Sequence, residues 1–315
     1  MNRALPPYFC SLAAALESLF SSSVSIVRTE RLSGGDINKA YALLLNDGTR
    51  LCIKTNRKER LPFFTAEAAG LGAIADTGTI ASPGILCTGT DESAFGGCAF
   101  LLMEYVGGSR RRADYWETLG RELAAMHRAS TLAFVPGAEN PAGDAHAARF
   151  GFFQDNFIGA RAQKNTPAAC WTDFFRDMRL RPQFLAAEQY FSAADWKKID
   201  ALLDKLGSFL VEPERPSLLH GDLWNGNILC GSGGTALLID PAVYVGHAEA
   251  DLAMTELFGG FPPSFYAAYQ EASPLQPGYT ERRDLYNLYQ LLNHLNLFGP
   301  AYLAPVLGIV TSYAG

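Results

Sequence analysis

The residues best suited to chemistry lie between His220 and Asp240. An aspartate, Asp222, stands five positions before an asparagine, Asn227, in the run His220-Gly221-Asp222-Leu223-Trp224-Asn225-Gly226-Asn227. The apolar segment Ala236-Leu237-Leu238-Ile239 then delivers a second aspartate, Asp240. Phosphoryl transfer needs a carboxylate to orient the attacking hydroxyl, and hard oxygen ligands for magnesium bridging the phosphates. Asp222 suits the first role, as catalytic base, and Asn227 with Asp240 the second. The protein-kinase catalytic loop has the same Asp-to-Asn interval, with a later Asp-Phe-Gly. Here that later element reads Asp240-Pro241-Ala242. An HGD triplet alone could be a turn; it is the three groups in register that point to a magnesium-nucleotide.

The first third of the chain supplies matching nucleotide contacts. Lys54 ends the strand-like run Leu51-Cys52-Ile53-Lys54, where a kinase keeps the lysine that touches the α- and β-phosphates. Glu67 lies on the helix that follows, placed to pair with Lys54. Separately, such charges are usually solvated and contribute little; in this order ahead of Asp222 they fit a nucleotide site. Upstream, Ser33-Gly34-Gly35-Asp36-Ile37-Asn38 joins two strands, and Gly34 and Gly35 would let the backbone approach phosphate oxygens. No GKS or GKT follows, so this is not a Walker loop, and a plain hairpin turn would look much the same.

These residues need a scaffold, and hydrophobic periodicity outlines one. Phe9, Leu12, Leu16, Leu19 and Phe20 form one helical stripe over 8–20. Strands are expected at 25–32, 40–45 and 50–54, with Asn46-Asp47-Gly48 as a tight hairpin turn. A helix follows over 62–76 with proline in its first turn. The apolar run 99–105 leads into Glu104-Tyr105-Val106-Gly107-Gly108, a strand followed by a linker. Beyond Gly108 the period turns helical: Trp116, Leu119, Leu123 and His127 share one face, and Trp196, Ile199, Leu203, Leu206 and Leu210 another. Short strands are expected near 228–229 and 236–239. The architecture is therefore α+β: a small β-rich lobe over 1–105, a hinge near 104–108, and a larger helical lobe over 109–315.

Bulk properties narrow the partners. The 315 residues carry a net charge of −6, with 48% apolar and 18% charged side chains. That balance argues against a sequence-independent grip on nucleic acid, which needs basic residues to displace counterions. Six scattered cysteines with no CxxC pair read as reduced thiols of a cytoplasmic protein. Arg3, Pro6-Pro7 and Glu17 make a poor signal peptide. From Leu285 to Gly315 there is no Asp, Glu, Lys or Arg, but polar residues and Pro300 and Pro305 interrupt the segment. No run approaches the roughly 20 apolar residues of a spanning helix, so a buried C-terminal segment is expected and no membrane partner. The five histidines lack metal-ligand spacing and no GxSxG occurs, so zinc-hydrolase and nucleophilic-serine chemistry find no support.

With these residues in view, the chain resembles the fructosamine kinase (ketosamine-3-kinase) family, relatives of the aminoglycoside phosphotransferases with a protein-kinase-like two-lobe fold. HGDLWNGN at 220–227 is similar to that family's HGDLWxGN, and DPAVYVGHAEADLAMTELFGGF at 240–261 to its DPAxxxGHxExDLAxxxxFGGF. GGDINKAY at 34–41, the Lys54 strand, LLMEYV at 101–106, LGRELAAMH at 119–127 and LYQLLNHLNLFG at 288–299 also fit. The resemblance runs from about residue 30 to 300.

It implies ATP- and Mg2+-dependent phosphorylation of the 3-hydroxyl of a ketoamine, free or on a protein lysine. Glu104, Tyr105 and Val106 would form the hinge around adenine through backbone groups, and Asp251 and His220 would brace the catalytic loop from behind. Several family members carry cysteine in the glycine loop where this chain has Asp36, so no redox switch is expected there. For the acceptor pocket the candidates are Trp224, Tyr244, His247 and Glu249: aromatic faces for a sugar ring, a carboxylate for the ketoamine nitrogen. Two other readings compete. One is a kinase for another hydroxylated amine, such as an aminoglycoside or choline, which the GHAE block disfavours. The other is a non-catalytic nucleotide-binding module, which intact Lys54, Asp222, Asn227 and Asp240 disfavour.

Overall fold

The structure, a computed structural model, describes residues 6–20, 23–32, 37–138 and 147–314. Gly34 and Gly35 lie outside the described residues. The chain forms two compact units: residues 1–115 with 228–241, and residues 116–227 with 242–315. The hinge expected at 104–108 falls inside the first of these.

The first unit is built on a six-stranded sheet. Its elements in chain order are β1 (Tyr8–Phe9), α1 (Leu12–Leu19), β2 (Ile26–Arg31), β3 (Lys39–Leu45), β4 (Arg50–Asn56), α2 (Leu61–Asp76), β5 (Ile85–Asp91) and β6 (Cys98–Glu104). The strand order is β1-β5-β6-β4-β3-β2, antiparallel throughout except for β1 beside β5. The expected helix over 8–20 is shorter, because its first residues pair as a strand. The Pro7 carbonyl accepts from Thr88 N–H at 3.0 Å, and the Ser11 hydroxyl caps the helix by accepting from Ala14 N–H at 3.1 Å. Between β3 and β4 the expected turn forms, with Gly48 at φ 87° and Asp47 Oδ1 accepting from Thr49 N–H at 2.9 Å.

The strand β6 lies in the interior of the sheet with both faces covered, which is why its sequence is apolar throughout rather than alternating. Ala99, Leu101 and Met103 pack with Phe64 and Ala68 of α2. Phe100 and Leu102 pack on the opposite face with Leu12 and Leu16 of α1. Lys54 pairs with Leu101 across β4 and β6, so it points to the α2 side of the sheet.

In the second unit α3 (Tyr115–Arg128) opens the helical part. It is followed by β7 (Asn156–Ile158), β8 (Arg161–Gln163), α4 (Trp171–Phe174), a π-helical stretch over 175–180, α5 (Arg181–Ala186), α6 (Ala193–Phe209) and β9 (Ser217–Leu219). The hairpin of β10 (Ile228–Cys230) and β11 (Ala236–Leu238) then joins the first unit, where Leu238 N–H donates to Ala81 O at 2.9 Å. The chain returns through β12 (Tyr244–Gly246), antiparallel to β9, and four helices complete the unit: α7 (Glu249–Leu257), α8 (Pro263–Ala272), α9 (Tyr279–Phe298) and α10 (Leu303–Ala314). The uncharged C-terminal segment is thus two helices. Leu285 to Leu295 of α9 is largely buried, whereas α10 buries only Val306 and Val310. Among the described residues no helix is long and apolar enough to cross a membrane.

Because Leu102 is fully enclosed in this sheet, Leu102→Ala is expected to cost about 2–5 kcal/mol. Urea unfolding should show a lower midpoint with an unchanged slope.

Candidate active site

In the first unit the fold gathers Lys54, Glu67 and Asp240. The Lys54 ammonium donates to Glu67 Oε1 at 2.5 Å and to Asp240 Oδ1. Both members of the Lys54–Glu67 pair are only 11% exposed at the side chain, whereas Asp240 is 37% exposed. Burial alone would lower the Lys54 pKa, but the Asp240 and Glu67 carboxylates outweigh it and hold the ammonium above its ordinary value. Glu67 is pushed up by its burial, against the pull of Lys54. Asp240 occupies left-handed backbone with φ 54°, a conformation aspartate tolerates better than most residues. The register of β10 and β11 sets Ile228 opposite Leu238. Asn227 immediately precedes that hairpin and Asp240 follows it by two residues.

In the second unit the loop after β9 is held from behind. Asp251, on the first turn of α7 and 1% exposed, accepts from His220 N–H at 2.7 Å and from Gly221 N–H at 2.8 Å. His127 of α3 adds a contact to Asp251 at 3.2 Å, and its other ring nitrogen meets the Tyr269 hydroxyl at 2.8 Å. Gln290 of α9 donates to Gly221 O at 2.9 Å. Gly221 is required there: its φ is 81°, and a Cβ would lie 2.1 Å from Ala242 O. His220 is fully buried and its Nδ1 accepts from Asp222 N–H at 3.3 Å. The Asn227 side-chain amide donates to Asp222 O at 2.8 Å and Oδ2 at 3.2 Å. That use of the nitrogen leaves the amide oxygen, a hard donor of the kind magnesium takes. Asn227 and Asp240 therefore fit the metal chemically, one by an amide oxygen and one by a carboxylate.

At the expected hinge, Glu104 closes a two-way bond with Gly84. Its N–H donates to Gly84 O at 2.8 Å, and its Oε2 accepts from Gly84 N–H at 3.0 Å. The Tyr105 ring lies under the Arg50 guanidinium at 4.0 Å. Both side chains are thus engaged within the fold.

The acceptor residues divide. Tyr244 is 2% exposed, with the Arg179 guanidinium 3.8 Å from its ring centre. His247 is buried with Nε2 against Gln276 Oε1 at 3.1 Å, and burial lowers its pKa. Glu249 is fully buried and takes two bonds from Arg282, at 2.9 and 2.5 Å. These three are interior residues, so the expectation that they line an acceptor pocket is corrected: the GHAE block opens α7 against α9, and its polar atoms are spent there. Trp224 is different. It is 40% exposed, and its ring lies over Gly226, where a Cβ would come within 2.4 Å of it.

Residues 9–313 match the protein-family model described as fructosamine kinase. A protein named probable ketoamine kinase from Synechocystis sp. is 37% identical over 299 residues, spanning 94% of each chain. The chloroplastic protein-ribulosamine 3-kinase of Arabidopsis thaliana is 36% identical over 316 residues, spanning 98% of this chain and 91% of that one. The chain belongs to the fructosamine kinase family. A crystal structure assigned as a fructosamine-3-kinase, from Haemophilus somnus, matches 96% of both chains with a TM-score of 0.80 at 25% identity. An aminoglycoside phosphotransferase solved with AMP-PNP and hygromycin B shares the fold alone, at a TM-score of 0.58 and 14% identity over 96% of this chain and 97% of that one. Membership makes the chain a phosphotransferase with an alcohol acceptor, on a protein-kinase-like α+β fold.

Within this fructosamine kinase family member, sequence reasoning passed over Gln290 and Arg282. Both stand on a helix whose apolar period is clear, and their buried polar roles appear only once α9 is packed. A signal was present: a glutamine or arginine on the buried face of such a helix needs a partner. For the Glu249–Arg282 pair the consequence is testable. Glu249→Ala leaves an uncompensated buried guanidinium and should cost about 3–5 kcal/mol. Adding Arg282→Met should restore much of that loss in denaturant titration. A neutral single variant would mean that Glu249 is not committed to the pair.

Proposed function

We propose that the chain is an ATP-dependent kinase that phosphorylates the 3-hydroxyl of ketoamines, with the first unit binding nucleotide and the second carrying the acceptor side. The observation that carries the reading is the loop of Asp222 and Asn227, fixed by Asp251 through two backbone bonds. Kinship at 36–37% identity with proteins named for ketoamine and ribulosamine substrates supports it. The 14% likeness to an aminoglycoside kinase supports only the scaffold.

Lys54 holds the α- and β-phosphate oxygens, and Glu67 keeps its ammonium in place. Tyr105 and Val106 offer backbone groups to adenine, beside the Glu104 tie to Gly84. Asn227 and Asp240 would hold magnesium, which would supply charge neutralisation at the phosphates. Asp222 aligns the acceptor hydroxyl in line with the γ-phosphorus. Its carboxylate is too weak a base to strip an alcohol early, so it receives the proton late as the loose transition state collapses. The chain's product would be labile: enolisation across C1–C2 makes the C3 phosphate allylic, it departs as inorganic phosphate, and hydrolysis frees the amine. Six free thiols suit a reducing compartment such as the cytoplasm.

On the acceptor side we assign Trp224, with Phe258 at 6.5 Å between ring centres and His294 at 4.8 Å from Phe258. His294 Nδ1 donates to Gln290 O at 2.8 Å, which leaves Nε2 as an acceptor. Burial lowers the His294 pKa against the effect of that bond, which favours the neutral ring. An aromatic face suits the C–H face of a sugar, and a bare imidazole nitrogen suits its hydroxyl.

Asp222→Asn should lower turnover on a ketoamine by about 10²–10⁴-fold while ATP affinity, read by calorimetry, stays within a few-fold. Near-normal turnover would refute the role of Asp222. Chelation by EDTA should abolish turnover and added Mg2+ restore it; activity that persists in excess chelator would remove Asn227 and Asp240 from their assignment.

A further inference from the structure

The aromatic run that starts at Trp224 does not stop at His294. Phe298 lies 5.4 Å from His294 between ring centres and Tyr302 5.1 Å, and these two are 6.4 Å apart. Phe298 is 54% exposed, the opposite of what a packing residue at the end of a buried helix would show. Its position is fixed rather than frayed. Gly299, at φ 90°, donates its N–H to Leu295 O at 3.1 Å and ends α9, and Pro300 turns the chain so that Tyr302 comes back beside His294. Single exposed rings are ordinary, but contiguous ones mark a binding surface.

We propose that Phe298 and Tyr302 form a subsite for the carrier of the ketoamine: the lysyl alkyl chain and the peptide that bears it. The proposal rests on the kinase reading and adds to it a residue-level basis for substrate size. A sugar ring covers about one aromatic face, which Trp224 supplies two residues after Asp222. The rings beyond His294 are therefore surplus to a small ketoamine. What extends past the sugar in a glycated lysine is a secondary ammonium and a row of methylenes, both of which bind well over aromatic faces. The segment from Leu285 to Gly315 has no Lys, Arg, Asp or Glu, so no fixed charge there repels the ammonium or captures it away from the rings.

The test compares two acceptors bearing the same sugar, one on methylamine and one on the ε-amine of a lysine within an uncharged pentapeptide. The ratio of their kcat/KM values is the readout, and the folded fraction of enzyme cancels in it. Wild type should favour the peptide by about tenfold or more. Phe298→Ala and Tyr302→Ala should each lower that ratio at least fivefold through KM, and Phe298→Tyr should retain it. A ratio near one in wild type, or one that survives both alanine variants, overturns the subsite while leaving the kinase reading intact. Self-association that Phe298→Ala abolishes would also overturn it, since the ring would then be covered by a second copy. Absence of turnover on both acceptors would instead bring down the kinase reading, and the subsite with it.

Discussion

The loop that carries Asp222 is organised around one buried carboxylate. Asp251 accepts from two successive backbone N–H groups, of His220 and Gly221, and meets His127 as well. Bonds to a charged acceptor contribute about 1.5–3 kcal/mol each, and a buried carboxylate without them would be very costly. The loop therefore has no low-energy alternative path at this point. Asp222, the next residue, inherits that rigidity. The Gln290 bond to Gly221 O and the close approach of Gly221 to Ala242 O remove the remaining freedom from the other side. The proposed role of Asp222 would call for this kind of over-determination, because a carboxylate that holds a hydroxyl in line contributes by position.

The first unit solves a different problem, which is to keep an ammonium charged while nearly buried. One carboxylate, Glu67, is buried with Lys54, while Asp240 is more than a third exposed. The asymmetry has a chemical reading. Glu67, as buried as Lys54, is the interior partner of the ammonium, and burial raises its own pKa to about 7. Asp240 sits in left-handed backbone ahead of Pro241, where an extended conformation would be the default. Such local strain is characteristic of groups placed for ligands rather than for stability. Under the proposed function, Asp240 would exchange its lysine contact for the metal.

The sequence made the chemistry legible because its motifs are local. Asp222, Asn227 and Asp240 stand within one short stretch, and Lys54 directly follows the apolar run Leu51-Cys52-Ile53. The hairpin at Asn46-Asp47-Gly48 was legible for the same reason, since Gly48 needs positive φ whatever surrounds it. What the sequence hid was set by packing. The strand β5, Ile85-Leu86-Cys87-Thr88-Gly89-Thr90-Asp91, has no clean alternation because its neighbours on both sides decide which residues are buried. The short pairs β7–β8 and β9–β12 are held by tertiary contacts and carry no signal of their own length. Tyr244, His247 and Glu249 sit in a conspicuous block, and their types suggested a ligand. Only the packing reveals how they are used: Arg179 lies over the Tyr244 ring, Gln276 meets His247, and Arg282 pairs with Glu249. Conspicuous polar residues in a motif are thus as consistent with an internal clamp as with a pocket, and burial decides between them.

That distinction bears on how one scaffold can serve different acceptors. The groups assigned to phosphate handling are anchored in the fold, Lys54 by Glu67 and the Asp222 loop by Asp251. Trp224 and Phe298 are different: they project from fixed backbone, the former over Gly226 and the latter ahead of the Gly299-Pro300 break, and neither side chain closes a core. Under the proposed reading, substitution at such positions would change what is bound without breaking what catalyses, since an exposed ring contributes little to folding and much to contact. A kinase fold arranged in this way keeps a constant reaction and lets its acceptor side vary.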